Sequence, residues 1–381
     1  MIYLDNAATS RFKPKAALDV LNFDIVHSAN SGRAGHDDAV AKSIAIERCR
    51  NLILEKLGGG DDYFVVFTKN CTEALNLAIF GSIKDGERVV TSKNEHNSVL
   101  RPLYLLANQG KIKLTVLSQD DNHKLNINDI KETAKNTDIF VFGGACNVTG
   151  STLDLVEVGQ IAKDNRVKFV VDGAQCVPYC DINLKDSHID MLACPGHKGL
   201  HGIQGTGFLV VKKSIQLSPL LFGGTGTHSS DVLPGIEYPE SFEAGTVFSG
   251  GIAALEEGIK WTYVKLDFVK KHINRLSKNL IYNLQSIGCT LYTSETACGV
   301  VACNVLGLDS TFVADYLNEN GVAVRAGLHC APLVHEHLGT LTQGAVRLSV
   351  GVDNGDKDIL VVSSLLENLI RQASATTNKL S

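Results

Sequence analysis

Short runs of β-branched and aromatic residues alternate with longer amphipathic stretches between about residues 60 and 215. The runs have the length of strands that are buried on both faces, and the stretches between them repeat their apolar residues at helical spacing. Strands that are separated by helices predict a mostly parallel sheet with helices on both faces. The predicted strands are 64–67, 88–91, 113–117, 139–142, 167–171 and 208–211, and the predicted helices are 71–83, 99–108 and 153–164.

The pattern changes after residue 212. Residues 212–250 are rich in Gly, Pro and Ser, which predicts an irregular connection. Helical periodicity returns at 251–265, and the remaining chain mixes helices with strand-like runs at 300–305 and 344–350. We therefore expect an α/β protein with a three-layer large domain (16–250), a smaller α+β domain (1–15 and 251–375) and a frayed tail (376–381).

Length and composition agree with this picture and narrow the possible partners. A chain of 381 residues is longer than a single hydrophobic core usually supports. The net charge is −5 without a basic block, so we expect no nucleic-acid partner, and no apolar run is long enough to cross a membrane. We expect no signal peptide, and the ten irregularly spaced cysteines predict reduced thiols in the cytoplasm.

Lys198 lies in an unusual setting. It follows an apolar run and stands between Gly196 and Gly199, so the turn that carries it is tight. This position suits an amine that condenses with an aldehyde better than it suits a solvated charge. Upstream, Asp172 ends the predicted strand 167–171. A reactive lysine, together with an acid that can pair with a pyridinium nitrogen, is the minimal equipment for pyridoxal phosphate chemistry, although either residue alone would be read as a surface cation or a helix cap.

Other polar residues follow the carboxyl ends of predicted strands, where ligands bind in sheets of this kind. Cys71 and Thr72 open a helix, and free N–H groups there can bind a phosphate; Asn70 or Thr72 could instead be an ordinary cap. His96 could lie on a cofactor ring and transfer protons, or it could simply cap the next helix. Three more candidates for contacts with cofactor or substrate are Asn147, Gln175 and His197.

Cys330 is the candidate nucleophile. Arg325 and His329 are close to it in sequence, and cationic neighbours lower the pKa of a thiol. Arg347, near the end of the run 344–350, could bind a substrate carboxylate through two parallel hydrogen bonds. A metal site built from Cys330 and neighbouring histidines is an alternative, but the spacing matches no common zinc pattern. Its ligands would be His329, Cys330, His335 and His337.

With these residues in view, the chain resembles the cysteine desulfurase and selenocysteine lyase family of the class V aminotransferases. The resemblance runs nearly from end to end, and its most specific motifs lie at 3–9, 172–175, 196–198, 242–246 and 325–331. It implies a fold type I enzyme that uses pyridoxal 5'-phosphate and acts on L-cysteine or a related amino acid. It also implies a homodimer and a protein or thiol that accepts sulfur.

The resemblance also implies a role for individual residues in holding the cofactor. Lys198 would bind the aldehyde covalently, Asp172 would keep the ring nitrogen protonated, and His96 would stack on the ring. Gln175 would contact the ring oxygen. The remaining contacts would come from Cys71, from Thr72 and His197 at the phosphate, and from Thr246 at the phosphate of the partner subunit.

For the substrate, the resemblance implies that Asn147, Arg325 and Arg347 bind the amino acid and that Cys330 receives its sulfur as a persulfide. The segment around Cys330 is short, as in the group of this family with a compact cysteine loop. Two positions depart from that group: Pro195 stands where a phosphate-binding Ser or Thr is usual, and Leu328 replaces a His.

Other reactions on the same cofactor remain open at this stage. A selenocysteine lyase, an amino acid β-lyase or a true aminotransferase would use the same lysine, and in each of these Cys330 could be a bystander. A non-enzymatic metal or sulfur carrier built on Cys330 is a further alternative. The products separate the enzymes, because desulfuration gives alanine, β-elimination gives pyruvate and ammonia, and transamination gives a 2-oxo acid.

Overall fold

The structure is a computed structural model that describes residues 1–32, 34–226, 230, 232 and 236–380, with side chains up to residue 375. The strands are β1 (Ile2–Tyr3), β2 (Tyr63–Thr68), β3 (Arg88–Ser92), β4 (Lys113–Leu117), β5 (Ile139–Gly143), β6 (Lys168–Asp172), β7 (Met191–Pro195), β8 (Gly207–Lys212), β9 (Thr290–Leu291), β10 (Val300–Asn304), β11 (Val322–Ala323), β12 (Arg325–Gly327) and β13 (Ala345–Ser349). The helices are α1 (Lys15–Val26), α2 (Asp37–Lys56), α3 (Cys71–Ser82), α4 (Asn97–Asn108), α5 (Ile127–Ala134), α6 (Leu155–Asn165), α7 (Ser249–Val264), α8 (Leu266–Ser286), α9 (Ser310–Glu319), α10 (Pro332–His337) and α11 (Asp356–Leu380).

Seven strands form the large sheet in the order β2-β8-β7-β6-β5-β3-β4. β8 runs antiparallel to both of its neighbours, and the other pairings are parallel. The predicted mostly parallel sheet is therefore confirmed. The register pairs Asp172 with Gly143 on one side and with Ala193 on the other. This brings the carboxyl ends of β5, β6 and β7 to one edge, with the Lys198 turn directly beyond β7.

Helices cover both faces of this sheet because both faces are apolar. Phe169 and Val171 of β6 pack into one core with residues of α2, α6 and α7. Val170, between them, packs into a second core with residues of α3 and α4. Successive side chains of a strand point to opposite faces, so the run of buried residues in each strand fills both cores. The predicted three-layer arrangement is confirmed.

A second, smaller sheet lies in the C-terminal part of the chain. Its order is β12-β13-β10-β9, and all of its pairings are antiparallel. Its core includes apolar residues of α8 and α11. β12 and β13 carry Arg325 and Arg347, which are paired directly across the two strands. The smaller sheet thus presents two guanidinium groups from neighbouring strands.

Some boundaries differ from those that the sequence predicted. Ile252, Leu255 and Ile259 of α7 pack into the core of the large sheet, whereas the sequence placed the start of the small domain at residue 251. α11 continues to Leu380, where the sequence predicted a frayed tail over 376–381. Residue 381, and parts of the predicted irregular connection, lie outside the described residues. No described helix has both the length and the apolar composition needed to span a membrane.

The N-terminal segment, residues 2–13, joins the two parts of the fold. β1 pairs with β11 in the small domain. Further along, the backbone N–H of Ser10 donates to the carbonyl of His197 at 3.0 Å, and the hydroxyl of Ser10 and the ammonium of Lys13 donate to the same oxygen. The segment therefore runs from the small sheet to the peptide that precedes Lys198.

Candidate active site

A cavity of about 230 Å³ opens at the carboxyl ends of the parallel strands, between the large sheet and the small domain. Ten of the twelve predicted site residues line it, although they come from distant parts of the sequence. They are Cys71, Thr72, His96, Asn147, Asp172, Gln175, His197, Lys198, Arg325 and Arg347. The other two, Thr246 and Cys330, do not line this cavity. The expectation that polar loops after successive strands converge is met by the geometry.

Glycines create the tight turn around Lys198. A Cβ on Gly196 would lie 2.3 Å from the hydroxyl of Thr206, and one on Gly199 would lie 2.5 Å from the carbonyl of Val177. No side chain fits in either place, so the backbone on both sides of Lys198 packs against its neighbours. Burial lowers the pKa of Lys198, and the nearby carboxylate of Asp172 partly opposes this shift. The amine is consequently more often neutral, and so more nucleophilic, than a surface lysine.

Asp172 is buried at the end of β6 and is held in a fixed orientation. Its Oδ1 accepts from the backbone N–H of Ala174 at 2.9 Å and from the thiol of Cys71 at 3.4 Å. Burial raises the pKa of the Cys71 thiol well above its ordinary value, and the charge of Asp172 adds to this shift. Cys71 therefore stays protonated and donates to the carboxylate.

The start of α3 is both a helix cap and a wall of the cavity. Asn70 caps the helix, since its side chain accepts from the backbone N–H of Glu73 at 2.9 Å. Thr72 is exposed to the cavity, and its hydroxyl is 2.8 Å from that of Ser98. The residue that caps the helix therefore differs from the one that faces the cavity, and phosphate binding at Thr72 stays a prediction.

His96 is likewise both a helix cap and a residue of the cavity wall. It is the N-cap of α4, where its Nδ1 accepts from the backbone N–H of Ser98 at 3.1 Å. A nitrogen that accepts from an amide carries no proton, so the neutral ring holds its proton on Nε2. Burial lowers the pKa of His96, although Asp172 opposes the shift. The ring is available as a neutral donor at Nε2.

Arg347 is fully buried and only partly paired. Its Nη2 donates to Asp5 at 2.8 Å, and its Nη1 donates to the backbone carbonyl of Asn147 at 3.1 Å. Among the described residues, its Nε and the side-chain oxygen of Asn147 have no hydrogen-bond partner. Arg325 faces the same cavity from the neighbouring strand. Unpaired guanidinium donors and an unpaired amide oxygen together suit the carboxylate and ammonium of an amino acid.

The Asp5–Arg347 pair leads to a stability prediction. Arg347 is 2% exposed and Asp5 is 21% exposed. Asp5→Asn removes the counter-charge of a buried guanidinium, so we expect the free energy of unfolding to fall by about 3 kcal/mol. Asp19→Asn is the matched control, because its pair with Lys15 is exposed and is worth about 0.5 kcal/mol. Urea unfolding of the two variants measures the difference, and equal effects would contradict this account of Arg347.

Cys330 lies on a short turn, residues 328–331, that is anchored to the large domain. The backbone carbonyl of Cys330 accepts a hydrogen bond from the backbone N–H of Asn97 at 2.7 Å. The backbone carbonyl of His329 accepts one from the side chain of Asn147, also at 2.7 Å. Both turn residues have left-handed backbone, with φ of 49° at His329 and 58° at Cys330. Cys330 is exposed, and the other nine cysteines are buried or half-buried. The turn thus holds the one exposed thiol beside the loops that carry His96 and Asn147.

One expectation about this turn is wrong. We expected His329 to act with Arg325 in favouring the Cys330 thiolate. Instead His329 is buried, its Nε2 donates to the carbonyl of Ala345 at 3.0 Å, and burial lowers its pKa to about 3. The ring is neutral at physiological pH and provides no positive charge, which leaves Arg325 as the cation of this segment.

The metal-site alternative has no support in the described residues. They contain no cluster of three or more His, Cys, Asp or Glu side chains that could hold a metal ion. His335 is buried, and its Nδ1 is 2.8 Å from the hydroxyl of Thr340. His337 packs edge-to-face against the ring of His123. The histidines therefore point to separate partners rather than to a common centre.

Thr246 lies in a separate surface cavity near the start of α3, which is lined by Thr68, Lys69 and Glu73 among others. It is exposed in the single chain. The expected contact of Thr246 with the phosphate of a partner subunit stays a prediction.

The sequence places Glu95 in the polar loop after a predicted strand but gives it no role; it is 1% exposed and lines the cavity. It accepts from the hydroxyl of Ser92 at 2.6 Å and from the backbone N–H of Gly143 at 2.7 Å. Burial raises the pKa of Glu95 to about 8. Its position next to His96 was the available signal, but only the fold shows that the carboxyl group joins the ends of β3 and β5.

The raised pKa of Glu95 predicts how the free energy of unfolding depends on pH. The unfolded carboxyl ionises near pH 4.5 and the folded one near pH 8, so the native state binds the extra proton between these values. Stability is then lost as pH rises through this window, by up to about 1.4 kcal/mol per pH unit. In Glu95→Gln the charge is gone, the amide oxygen can accept from the backbone N–H of Gly143, and the amide nitrogen can donate to the hydroxyl of Ser92. Its urea midpoint should therefore fall less than that of the parent protein between about pH 5 and pH 9. The same fall in both proteins would contradict the assignment.

Comparison with known proteins agrees with this geometry. The sequence model of the class-V aminotransferases matches residues 2–362. The chain belongs to the class-V aminotransferase family. A probable cysteine desulfurase of Pyrococcus abyssi (strain GE5 / Orsay) is 31% identical over 383 residues, which cover 97% of this chain and 94% of that protein. The cysteine desulfurase of Wigglesworthia glossinidia brevipalpis is 29% identical, over 96% of this chain and 92% of its own.

Solved structures support the fold of this class-V aminotransferase. The apo structure of the cysteine desulfurase from Thermococcus onnurineus NA1 superimposes with a TM-score of 0.89, at 31% identity over 97% of this chain and 95% of the other. The cysteine desulfurase CsdA from Escherichia coli gives a TM-score of 0.85 at 24% identity, over 97% and 94% of the two chains, and supports the fold alone. The family that the motifs resembled is confirmed.

Proposed function

We propose that this protein is a pyridoxal-phosphate-dependent cysteine desulfurase, which converts L-cysteine to L-alanine and leaves the sulfur on Cys330. The observation that carries the proposal is the position of the exposed Cys330. Its turn is hydrogen-bonded to the loops of His96 and Asn147, at the cavity that holds Lys198 and Asp172. An aminotransferase or a β-lyase requires the lysine and the acid but has no use for an exposed thiol at this place.

The residues that line the cavity fit the cofactor. Lys198 is a half-buried amine of lowered pKa that can bind an aldehyde, and Asp172 is a buried carboxylate that can pair with a protonated ring nitrogen. Thr72 and the first N–H groups of α3 supply donors for a phosphate. The Nδ1 of His197 is buried and has no partner among the described residues. Burial lowers the pKa of His197 to about 4, so the ring is neutral and has one N–H to donate.

When bound, pyridoxal phosphate supplies an aldehyde for the substrate amine and a ring that accepts electrons from the substrate α-carbon. Arg347, with Arg325 beside it, binds the substrate carboxylate. The neutral amine of Lys198 then takes the α-proton, since its pKa is lowered by burial. The Nε2 of His96, which carries the ring proton, is a donor on the cavity side of α4.

Cys330 is the nucleophile that receives the sulfur. Its thiolate attacks the sulfur of the substrate, so that an S–S bond forms while the C–S bond breaks and its electron pair stays with carbon. Proton uptake by the carbon fragment gives alanine, and the enzyme retains Cys330 as a persulfide. No oxidant or reductant is needed for this step. Because the turn is short and anchored, we propose that an acceptor protein or thiol approaches Cys330 at the surface and removes the sulfur.

We also propose that the protein works as a homodimer in the cytoplasm. Thr246 is exposed in a surface cavity of the single chain. Apolar side chains of α1 and α2 are exposed as well, including Phe23 and Ile44. An apolar surface of this kind is typical of a subunit interface. All ten cysteines are free, which agrees with a reducing compartment.

Product analysis tests the proposed function. The protein is loaded with pyridoxal phosphate and given L-cysteine and a thiol reductant. We expect alanine and sulfide in equal amounts. Pyruvate and ammonia would keep Lys198 in its role but would make the protein a β-lyase, and a 2-oxo acid would make it an aminotransferase.

A further inference from the structure

His329 precedes Cys330 and borders the active-site cavity, but its neutral ring supplies no charge to the thiol. The ring nevertheless has a fixed place. Its Nε2 donates to the carbonyl of Ala345 at 3.0 Å, and Ala345 is the first residue of β13, which also carries Arg347. The ring thus ties the turn of residues 328–331 to the strand that presents a guanidinium to the substrate.

The backbone of His329 makes a second link. Its carbonyl accepts from the side chain of Asn147 at 2.7 Å, and the carbonyl of Asn147 accepts from the Nη1 of Arg347 at 3.1 Å. The contacts therefore form a closed loop that runs from His329 through Asn147 and Arg347 and returns along β13 to the ring. Because Asn147 and Arg347 are the groups proposed to hold the amino acid, His329 connects the turn of the nucleophile to both of them.

The shape of the turn does not explain why residue 329 is a histidine. Its backbone is left-handed, with φ of 49°, a conformation that glycine and asparagine adopt more readily. Neither of these has a side chain long enough to place an N–H where the Nε2 of His329 lies. The imidazole therefore serves the contact with Ala345 rather than the backbone of the turn.

We propose that His329 is a positioning residue for Cys330, and that its links to Ala345 and Asn147 hold the thiol at a set distance from the bound amino acid. The inference rests on the proposed function, because it takes Cys330 as the nucleophile. Attack on the substrate sulfur requires the two sulfur atoms and the departing carbon to be aligned, and a displacement of about 1 Å can lower a rate by about 10²-fold. His329 itself transfers no proton and forms no bond with the substrate.

Two amides at residue 329 separate the link from the backbone of the turn. The Nε2 of glutamine reaches about as far as that of histidine and can donate to Ala345, whereas asparagine is too short but adopts the left-handed backbone more readily. We expect His329→Gln to keep the kcat of the parent protein within about threefold and His329→Asn to lower kcat by about 10²-fold. If the backbone of the turn alone mattered, the order of the two variants would be reversed.

Two further measurements on the pyridoxal-phosphate-loaded protein complete the test. KM for L-cysteine should stay within about twofold in both variants, because the bond between Arg347 and Asn147 is untouched. Hydrogen exchange reports on the turn without any turnover. The backbone N–H of Asn97 donates to the carbonyl of Cys330, so it should exchange faster in His329→Asn than in the parent protein and at an unchanged rate in His329→Gln.

His335→Asn is the matched control for His329→Asn. His335 is a fully buried histidine close to the same turn, but its Nδ1 is bonded to the hydroxyl of Thr340, and its Nε2 has no partner among the described residues. The substitution removes a buried imidazole and leaves both links of His329 in place. It should keep the kcat of the parent protein within about twofold, with unchanged exchange at Asn97.

Several results would overturn the proposal. They are equal kcat values in His329→Asn and His329→Gln, a higher value in His329→Asn, an equal loss in His335→Asn, and equal exchange at Asn97 in all of the variants. If exchange follows the predicted order but the parent protein forms no alanine from L-cysteine, the proposed function fails and the link of His329 to the turn stands.

Discussion

Lys198→Ala is expected to abolish turnover of every amino acid substrate, lowering kcat/KM by at least about 10³-fold. The substitution removes both the amine that binds the cofactor covalently and the base that takes the α-proton. Reduction with borohydride followed by peptide mass analysis shows where the cofactor is attached. In the parent protein the peptide that contains Lys198 should carry it, and in Lys198→Ala no peptide should.

Lys13→Arg is a demanding control for this experiment. Lys13 is also half-buried, burial lowers its pKa to about 8, and it contacts the carbonyl of His197. It is therefore the neighbouring lysine that is chemically most similar to Lys198. Lys13→Arg should keep the cofactor on Lys198. Attachment that persisted in Lys198→Ala, or that was lost in Lys13→Arg, would contradict the assignment.

Cys330→Ser is expected to lower alanine formation from L-cysteine by at least about 10³-fold, because the hydroxyl is not a competent nucleophile towards sulfur. Binding of the amino acid should persist, since Arg347, Asn147 and Lys198 are untouched. The spectral change of the cofactor on addition of L-cysteine would therefore remain, while sulfide release would stop.

Cys180→Ser is the matched control for this variant. Cys180 is half-buried, and burial raises the pKa of its thiol to about 12, so it is protonated at physiological pH. It should keep the activity of the parent protein. Full desulfuration by Cys330→Ser would show that another group receives the sulfur, and the role of the anchored turn would have to be given up.

Local pattern was sufficient to predict most of the large domain. β2, β5 and β6 are buried on both faces, so their apolar runs stand out in the sequence. The direction of β8 could not be predicted, because a buried strand has the same apolar sequence pattern whether it runs parallel or antiparallel to its neighbours. The packing of α7 against the large sheet was likewise missed, since it depends on partners that are distant in sequence.

The residues of the site show the same contrast between what local sequence reveals and what depends on distant partners. Lys198 and Asp172 were found because their neighbours in sequence already make them unusual. Asp5 was not found as the partner of Arg347, since 342 positions separate the two. His329 was misjudged for a related reason: its charge is set by burial and by the carbonyl of Ala345, which sequence proximity to Cys330 does not reveal.

Locating the sulfur after a single turnover tests the central claim most directly. The cofactor-loaded protein is mixed with an equal amount of L-cysteine in the absence of reductant, thiols are blocked, and the peptides are analysed by mass spectrometry. We predict one added sulfur atom on the peptide that contains Cys330, matched by an equal amount of alanine. Alanine or pyruvate without sulfur on that peptide, or sulfur on a different cysteine, would contradict the account.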